Sequence, residues 1–581
     1  MPPPSSSNGA GAARVPQPEP PVTWMSLPHK RQLLILALCR LAEPLSNTCL
    51  LPYLYYLIRS LQTGDTTSPA SISRQAGLLV ALFALAQFAT SVPWASFANH
   101  YGRKPTIVLG LALSIISNVG FGFATTLPAV MGWRVLAGIG NGNIGVMRTM
   151  TAEIVVERKY QSRAFLLLPL VFNSGVVIGL ALGGCLADPV VNLPWLFGPS
   201  GLWNLASEPL GVAWMRAFPF ALPTMCNAGA LVGSLCLAVF GLKETMPRLE
   251  EEKDRGLVVG AAIGRLFSRV VLRRRSSAYM AVDGGDQTDS DSDTDLVDMR
   301  SPSPGASQAP LREFRSLPPS RPRLSMTDPA IWTREVLFTI ISFALLPLHN
   351  SAFMQVFPVF LSTPPSEAPS TSATKFIGGL GLPSPTIGLF LSAFGVFGIL
   401  IQLCIYPSLQ AWLGTLRSYR VALAMFPLAY LLAPYLCLIS SSHPIFQGAG
   451  IAFILFMQVT ARTFGIPSSV ILLTNSAPSP RALGAVHGGG NMLSSLSRAV
   501  GPALGGVIFG WGVDRGIVGL VWWGYLFVVS GAGVAWSWML TEGESPTMKL
   551  KEESLEMADG RQMGEKPAKG VRRSKSSIRI L

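Results

Sequence analysis

The sequence predicts an all-α membrane protein, with twelve transmembrane helices in two pseudo-symmetric six-helix bundles. Three observations carry that prediction. Of 581 residues, 49% are apolar and only 13% charged, where a soluble domain carries about 25% charged residues; mean hydropathy is +0.42. Apolar stretches recur from about residue 33 to residue 540, and a bilayer core about 30 Å thick takes roughly 20 apolar residues per helix. The apolar part also divides into two nearly equal lengths, 32–242 and 332–541, around a polar segment. These features exclude a soluble multidomain enzyme, a disordered protein and a single-pass anchor.

In chain order, residues 1–31 are rich in Pro, Ser and Gly and read as a disordered cytoplasmic tail. They lack the apolar core of a signal peptide, which leaves insertion to the first spanning helix. The first six spans are expected near 32–58, 75–97, 106–126, 128–150, 164–187 and 217–242. The region between spans 5 and 6 is longer than its neighbours, and its Trp195, Trp203 and Trp214 suit a membrane interface. Residues 243–331 form a cytoplasmic linker, basic then acidic and mostly disordered. Its stretch 256–275 is either an interfacial helix on anionic lipid or an unstructured basic segment, and Asp289–Asp295 alternates acids with Ser and Thr. Spans 7 to 12 are expected near 332–361, 386–408, 421–440, 449–474, 484–511 and 518–540, followed by a basic cytoplasmic tail, 542–581.

The net charge of +14 does not point to nucleic acid. About half of the Lys and Arg lie in 243–331 and 542–581, and many others sit in short loops. Arg103 and Lys104 follow span 2; Arg158, Lys159 and Arg163 follow span 4; Arg417 and Arg420 follow span 8; Arg481 follows span 10. The alternate loops are poorer in such residues, so both termini are expected in the cytoplasm. Glu153, Arg158 and Lys159 read as a solvated cluster on that side. The seven cysteines fall inside apolar runs without a CxxC pair and read as small helix-packing residues, neither metal ligands nor disulfides.

Polar residues inside spans are costly and therefore informative. Span 1 carries Arg40 and Glu43, three apart on one helix face, with Pro44 beside them. They form either a proton relay or a self-neutralising pair near the membrane surface. His349 in span 7 either shuttles protons or bonds a carbonyl. Arg134 in span 4 is either functional or snorkels at a helix end. Span 4 continues through Gly138, Gly140, Gly142 and Gly145. These glycines match a dinucleotide fingerprint by letters, but they lie inside an apolar span with no βαβ context; small residues so spaced let membrane helices approach. Gly175, Gly179, Gly183 and Gly184 lie in span 5, and Gly179-Leu-Ala-Leu-Gly183-Gly184 repeats in span 11 as Gly501-Pro-Ala-Leu-Gly505-Gly506; the Gly102-Arg103-Lys104 loop corresponds to Gly414 through Arg417. Paired repeats of six helices mark transporters that bind solute at the repeat interface. A Walker loop and a nucleophile constellation are both missing, so neither ATP drive nor enzyme chemistry is expected, and no cofactor or metal is implied.

The loop Asn99-His100-Tyr101-Gly102-Arg103-Lys104 resembles the loop motif of the major facilitator superfamily, with Ala95 and Asn99 replacing its first glycine and its acid. Arg134 and the glycines after it resemble the fourth-helix motif, which implies a proton-coupling role for Arg134. Span 5 resembles the antiporter fifth-helix motif, with Leu180 in place of proline. The blocks Arg40-Leu-Ala-Glu43-Pro44, Gly140 through Met150 and Gly484 through Pro502 are similar to fungal relatives of the plant zinc-induced-facilitator-like transporters, in the twelve-span drug:proton antiporter branch. The resemblance implies the major facilitator fold and secondary active transport: proton-coupled export of a small organic solute, drug or metal chelate. Glu43, Arg40, Arg134 and His349 are the proton-coupling candidates, and Asn99, Gly102, Arg103 and Lys104 the gating loop. Gly138, Gly142, Gly175, Gly179, Gly183, Gly184, Gly501, Pro502 and Gly505 are the packing surfaces. A solute importer or uniporter on the same fold is the alternative, and a non-transporting membrane sensor a further one. The expected partners are the lipid bilayer, a small-molecule substrate and protons, with the chain acting as a monomer in a plasma or vacuolar membrane.

Overall fold

The computed structural model describes residues 28–62, 68–155, 158–205, 207–246, 254, 256–260, 262, 265, 328–366, 378–439, 443–479 and 482–542; the side chains of residues 42, 43, 143, 144, 152 and 158–169 are not included. The expected N-terminal tail, the acidic tract Asp289–Asp295, most of 256–275, Arg481 and the C-terminal tail lie outside these residues.

Among the described residues, ten helices are long and apolar enough to cross a membrane: α1 Lys30–Leu61, α2 Pro69–Tyr101, α3 Arg103–Gly122, α6 Ala221–Gly241, α7 Arg334–Ser362, α8 Ser384–Leu413, α9 Thr415–Leu438, α10 Pro444–Asn475, α11 Leu483–Asp514 and α12 Leu520–Ser537. Two others complete the bundle. In α4, Leu127–Gly140 and Ile144–Ile154 are joined by a 3₁₀ turn at Asn141–Asn143. In α5, Arg158–Leu186, the apolar part is Leu170–Leu186. Helices dominate because lipid cannot satisfy backbone polar groups, so each segment must do so internally. The glycine run that reads as a packing signal also breaks α4, since Gly gives up helix propensity at no steric cost.

The two halves repeat one contact pattern. In the first, α1 packs on α5 and α6, α4 on α2 and α3, and α3 on α6. In the second, α7 packs on α11 and α12, α10 on α8 and α9, and α9 on α12. The repeat extends to the hairpins. Gly102, at φ +105°, ends α2 and starts α3, and Gly414, at φ +79°, does the same between α8 and α9; a side chain would strain both turns. Each is followed by a helix N-terminus that takes an acid from just beyond the half's last helix. The Glu244 carboxylate accepts from the backbone N–H of Arg103 at 3.0 Å and of Lys104 at 2.9 Å, and Glu542 accepts from Thr415 N–H at 3.1 Å. A negative group at a helix N-terminus contributes about 0.3–1 kcal/mol. Neither glutamate has a local sequence signature, because it arrives from about 140 or 127 residues away.

The halves meet in two symmetry-related crossings, α2 with α11 and α5 with α8. Gly77 faces Gly506 and Gly184 faces Gly388; a Cβ on Gly506 would stand 2.6 Å from the Ser73 carbonyl oxygen, and one on Gly184 2.7 Å from that of Ser384. Both crossings lie far from the end that carries residues 30 and 537. The Tyr56 hydroxyl donates to the Leu382 carbonyl at 2.5 Å, and Arg74 pairs with Asp514 at 3.1 Å, at the same far end. One apolar cluster spans both halves there, from Leu50, Leu54 and Leu180 to Phe357, Ile387 and Phe509. Towards the terminal end each half also keeps a cluster of its own, around Ile107 and Met150 in one and Val336 and Val486 in the other. Both glycine crossings and the contacts of the shared cluster named above thus join the halves at the far end, and towards the terminal end each half has an apolar cluster of its own.

The seven cysteines are free thiols. Cys39 and Cys49 pack inside, but Cys185, Cys226, Cys236 and Cys404 are exposed on the helix surfaces, which corrects their reading as packing residues: an apolar run does not reveal which side of a helix faces lipid. Trp195, Trp203 and Trp214 are exposed in the long loop after α5.

Candidate functional site

Three arginines share the space between the halves. Arg40 of α1 is 8% exposed and lies over the Phe172 ring of α5 at 5.1 Å. Arg148 of α4 and Arg498 of α11 are exposed, yet both act electrostatically on Arg40 and on each other. Arg148 donates to the Asn491 amide oxygen of α11 at 3.5 Å. Deeper in, the Asn173 amide of α5 donates to the Gln402 amide oxygen of α8 at 2.7 Å, a second bond between halves. The cleft is therefore lined with cations and amides. Glu43 belongs to α1, one turn beyond Arg40, and its side chain is not among those described.

Arg134 occupies a different place. It is 4% exposed and sits inside the first half, where it donates to the Asn47 amide oxygen at 2.8 Å and lies over the Phe83 ring at 4.7 Å. Its Nε has no partner among the described residues. A small cavity beside it is lined by Ser46, Tyr53, Asn118 and Thr224. Its guanidinium is thus enclosed by the first half rather than turned outward. A buried arginine needs compensation, and here an amide and an aromatic face supply it.

His349 lies fully buried between α7 and α9, where Nδ1 shares a 2.8 Å hydrogen bond with the Tyr430 hydroxyl and the ring meets Phe426 edge-on. The bond to a hydroxyl replaces the expected carbonyl. Nearby, the Gln458 amide donates to Asn350 at 3.0 Å. Arg40, Arg134 and His349 thus occupy three separate environments: cleft, first-half interior and second-half interior.

The loop Asn99 to Lys104, expected to gate, is tied down within one half. Arg103 donates to the Asn99 amide oxygen at 2.7 Å and pairs with Glu153 of α4 at 3.1 Å, and Glu153 also accepts from the Thr245 hydroxyl at 2.5 Å. Glu153 is therefore a structural partner of the loop, a correction to its reading as a solvated cluster with Arg158 and Lys159, whose side chains are not described. Lys104 is buried; it donates to the Val239 carbonyl at 2.7 Å and to Asp254 of the linker at 2.5 Å. Partial burial pushes the Asp254 carboxyl up, but the Lys104 bond and charge, with the Leu257 and Gly256 backbone N–H groups, outweigh it and hold it below its usual range. The contribution of this pair is present above the ordinary carboxylate range and lost as pH falls through the depressed value, so the Lys104–Asp254 tie is in place at neutral pH.

The packing glycines meet definite partners. Gly175 faces Leu41 and Pro44 of α1, Gly179 faces Thr48, and Gly183 faces the Cys49 backbone; Gly501 and Gly505 face Leu348 and Val356 of α7 in the repeat. Gly138 meets the Phe83 carbonyl and Gly142 the Trp94 ring, while the Pro502 carbonyl meets Gly77. The sequence signals that small residues matter here but not which helix each meets.

Comparison with known proteins fits this architecture. The family model described as Major Facilitator Superfamily matches residues 36–364. The major facilitator superfamily multidrug transporter mfsB of Aspergillus fumigatus is 34% identical over 508 residues, covering 86% of this chain and 81% of that protein. The protein ZINC INDUCED FACILITATOR 1 of Arabidopsis thaliana is 26% identical over 484 residues, covering 82% and 83%. Among solved structures, a D-xylose–proton symporter is similar in fold, with a TM-score of 0.55 at 13% identity, covering 88% of this chain and 98% of that one.

Proposed function

The chain is a multi-pass membrane transporter of the Major Facilitator Superfamily, and on that premise we propose that it exports a small organic solute in exchange for protons by alternating access. The observation that carries the reading is the asymmetry of the contact between the halves: the two glycine crossings join them at the far end, while towards the terminal end each keeps an apolar cluster of its own and polar side chains face across. With both termini in the cytoplasm, as the basic loops favour, this is an inward-facing state ready to load solute from the cell. Rocking about the crossings exposes the cleft to the other side. A multidrug transporter as a relative at 34% identity supports a small organic solute, and Glu43, a carboxylate deep in α1, supports proton coupling. One chain supplies both walls of the cleft, so the working unit is a monomer, in the plasma or vacuolar membrane.

Inside-out proteoliposomes test this directly. With an acid lumen, rhodamine 6G or carboxyfluorescein should accumulate inside, and collapse of the pH gradient should stop it. Accumulation under the opposite gradient would make the protein an importer, and no gradient-dependent flux of either dye would remove the proton-coupled reading.

Asn99 bears on how readily the terminal end closes. Its amide bonds Arg103 in the same half, but α2 shares its crossing with α11, whose first turn also lies at the terminal end. When the halves close there, a carboxylate would favour that helix N-terminus by about 0.3–1 kcal/mol. Asn99→Asp should therefore lower labelling of a cysteine placed at Asn491 by roughly two- to fivefold. Unchanged labelling would mean that residue 99 serves only to position Arg103.

A further inference from the structure

We propose that the cleft is built for an organic anion, a solute whose carboxylate, sulfonate or phosphate group is held between Arg148 of the first half and Arg498 of the second. The use of that binding for transport rests on the reading above; the binding itself does not.

The first argument is charge balance. Counting residues six or more positions from either end of a helix, the twelve helices carry five arginines, Arg40, Arg134, Arg148, Arg462 and Arg498, against one carboxylate, Glu43. An arginine within a spanning helix pairs, bonds to neutral groups or faces a water-filled cavity; Glu43 can balance at most one of these five, and Arg148 and Arg498 face solvent. Among the described residues, Arg134, Arg148, Arg462 and Arg498 have no ion-pair partner. Arg134 is compensated by Asn47 and Phe83. Arg148 and Arg498 have only neutral partners, the Asn491 amide at 3.5 Å and the Ser495 hydroxyl at 2.9 Å.

The second argument is placement. Arg148 and Arg498 stand on opposite halves, both reachable by solvent and both within electrostatic range of Arg40 and of each other. His487, on the same helix as Arg498, also feels Arg148 and is tied to the Thr474 hydroxyl at 3.1 Å. Like charges facing across a gap repel, so the empty cleft is biased towards the parted state. An anion between two guanidinium groups reverses the sign of that interaction. It gains charge-assisted hydrogen bonds, roughly twice as strong as neutral ones, and it draws the halves together. Binding and closure then share one cause: the ligand prefers the closed state because only there do both arginines reach it.

The test is fluorescence polarisation with the full chain in nanodiscs of uncharged lipid at low salt. The probes are carboxyfluorescein, an anion, and rhodamine 6G, a cation on a related ring system. Carboxyfluorescein should bind, and Arg148→Gln or Arg498→Gln should weaken it at least tenfold, while Arg148→Lys and Arg498→Lys keep part of the affinity. Rhodamine 6G should bind more weakly to the wild type and improve in the glutamine variants. The thermal midpoint of the glutamine variants should equal or exceed that of the wild type, because each removes a repelling cation. Carboxyfluorescein binding that is missing, or that is the same in both glutamine variants, would overturn the proposal. So would a lowered thermal midpoint in glutamine and lysine variants alike, which would make these arginines structural. Gradient-driven rhodamine 6G flux without carboxyfluorescein binding would remove the anion site and leave the transporter. Carboxyfluorescein binding without flux of either dye would do the reverse.

Discussion

Replacing Gly506 with valine is expected to abolish transport while leaving the helices folded and inserted. A Cβ at this position would stand 2.6 Å from the Ser73 carbonyl oxygen and 2.8 Å from the Gly77 Cα. Both are backbone atoms of α2, so no side chain can rotate away, and valine adds two methyl groups to the conflict. The helices must move apart, at the cost of about 1–3 kcal/mol that overpacking usually carries. In a fixed core that cost would lower stability. Here the crossing joins two halves that separate during the proposed cycle, so opening the far end relieves the strain. About 1.4 kcal/mol is already a tenfold shift in such an equilibrium. Gly184→Val should act likewise through Ser384 and Gly388 of α8, whose atoms lie 2.7 and 2.8 Å from its Cβ. A cysteine at Ser384, buried at the far end, reports the change: it should be protected in the parent protein and labelled rapidly in the Gly506→Val background. Normal flux with a protected Ser384 cysteine would show that the crossing has room to spare.

Much of this architecture is legible in the sequence because the bilayer forces it to be. Span length and missing charge are local properties, and they locate the membrane helices. The repeat is also legible, since Gly184 and Gly506 stand at the same place in matching stretches. What the sequence withholds is pairing over distance. Nothing around Gly184 says that it will meet Gly388, and nothing around Glu244 or Glu542 says that each will cap a hairpin helix. The same limit explains Arg134: its neighbours mark it as costly, but only the fold shows Asn47 and Phe83 as its compensation. Arg148 and Arg498 cannot be paired from sequence, because they lie 350 positions apart and belong to different halves.

Glu43→Gln is expected to remove uphill, proton-driven flux by at least tenfold while leaving folding and ligand binding in place. Glu43 is the one carboxylate set deep in the twelve helices, and it is followed by Pro44, which lies inside α1. Proline has no backbone N–H, so the Arg40 carbonyl loses its usual helical donor and the backbone is loosened beside the acid. Pro44 also packs against Gly175 of α5, which couples this point of α1 to the helix that crosses into the second half. A carboxylate here feels opposite influences: desolvation favours its protonated form, and a nearby arginine favours the charged one. Opening and closing of the cleft changes the balance between them, which is what a proton carrier needs. Glutamine keeps the size and the hydrogen bonds but has no proton to exchange. The variant should therefore still bind carboxyfluorescein and still equilibrate solute down a gradient, but no longer concentrate it against one when the lumen is acid. Glu43→Asp, with the charge retained on a shorter arm, should recover part of the coupling. Uphill accumulation at the parent rate in Glu43→Gln would assign Glu43 to the self-neutralising pair with Arg40 and send the search for the proton carrier elsewhere.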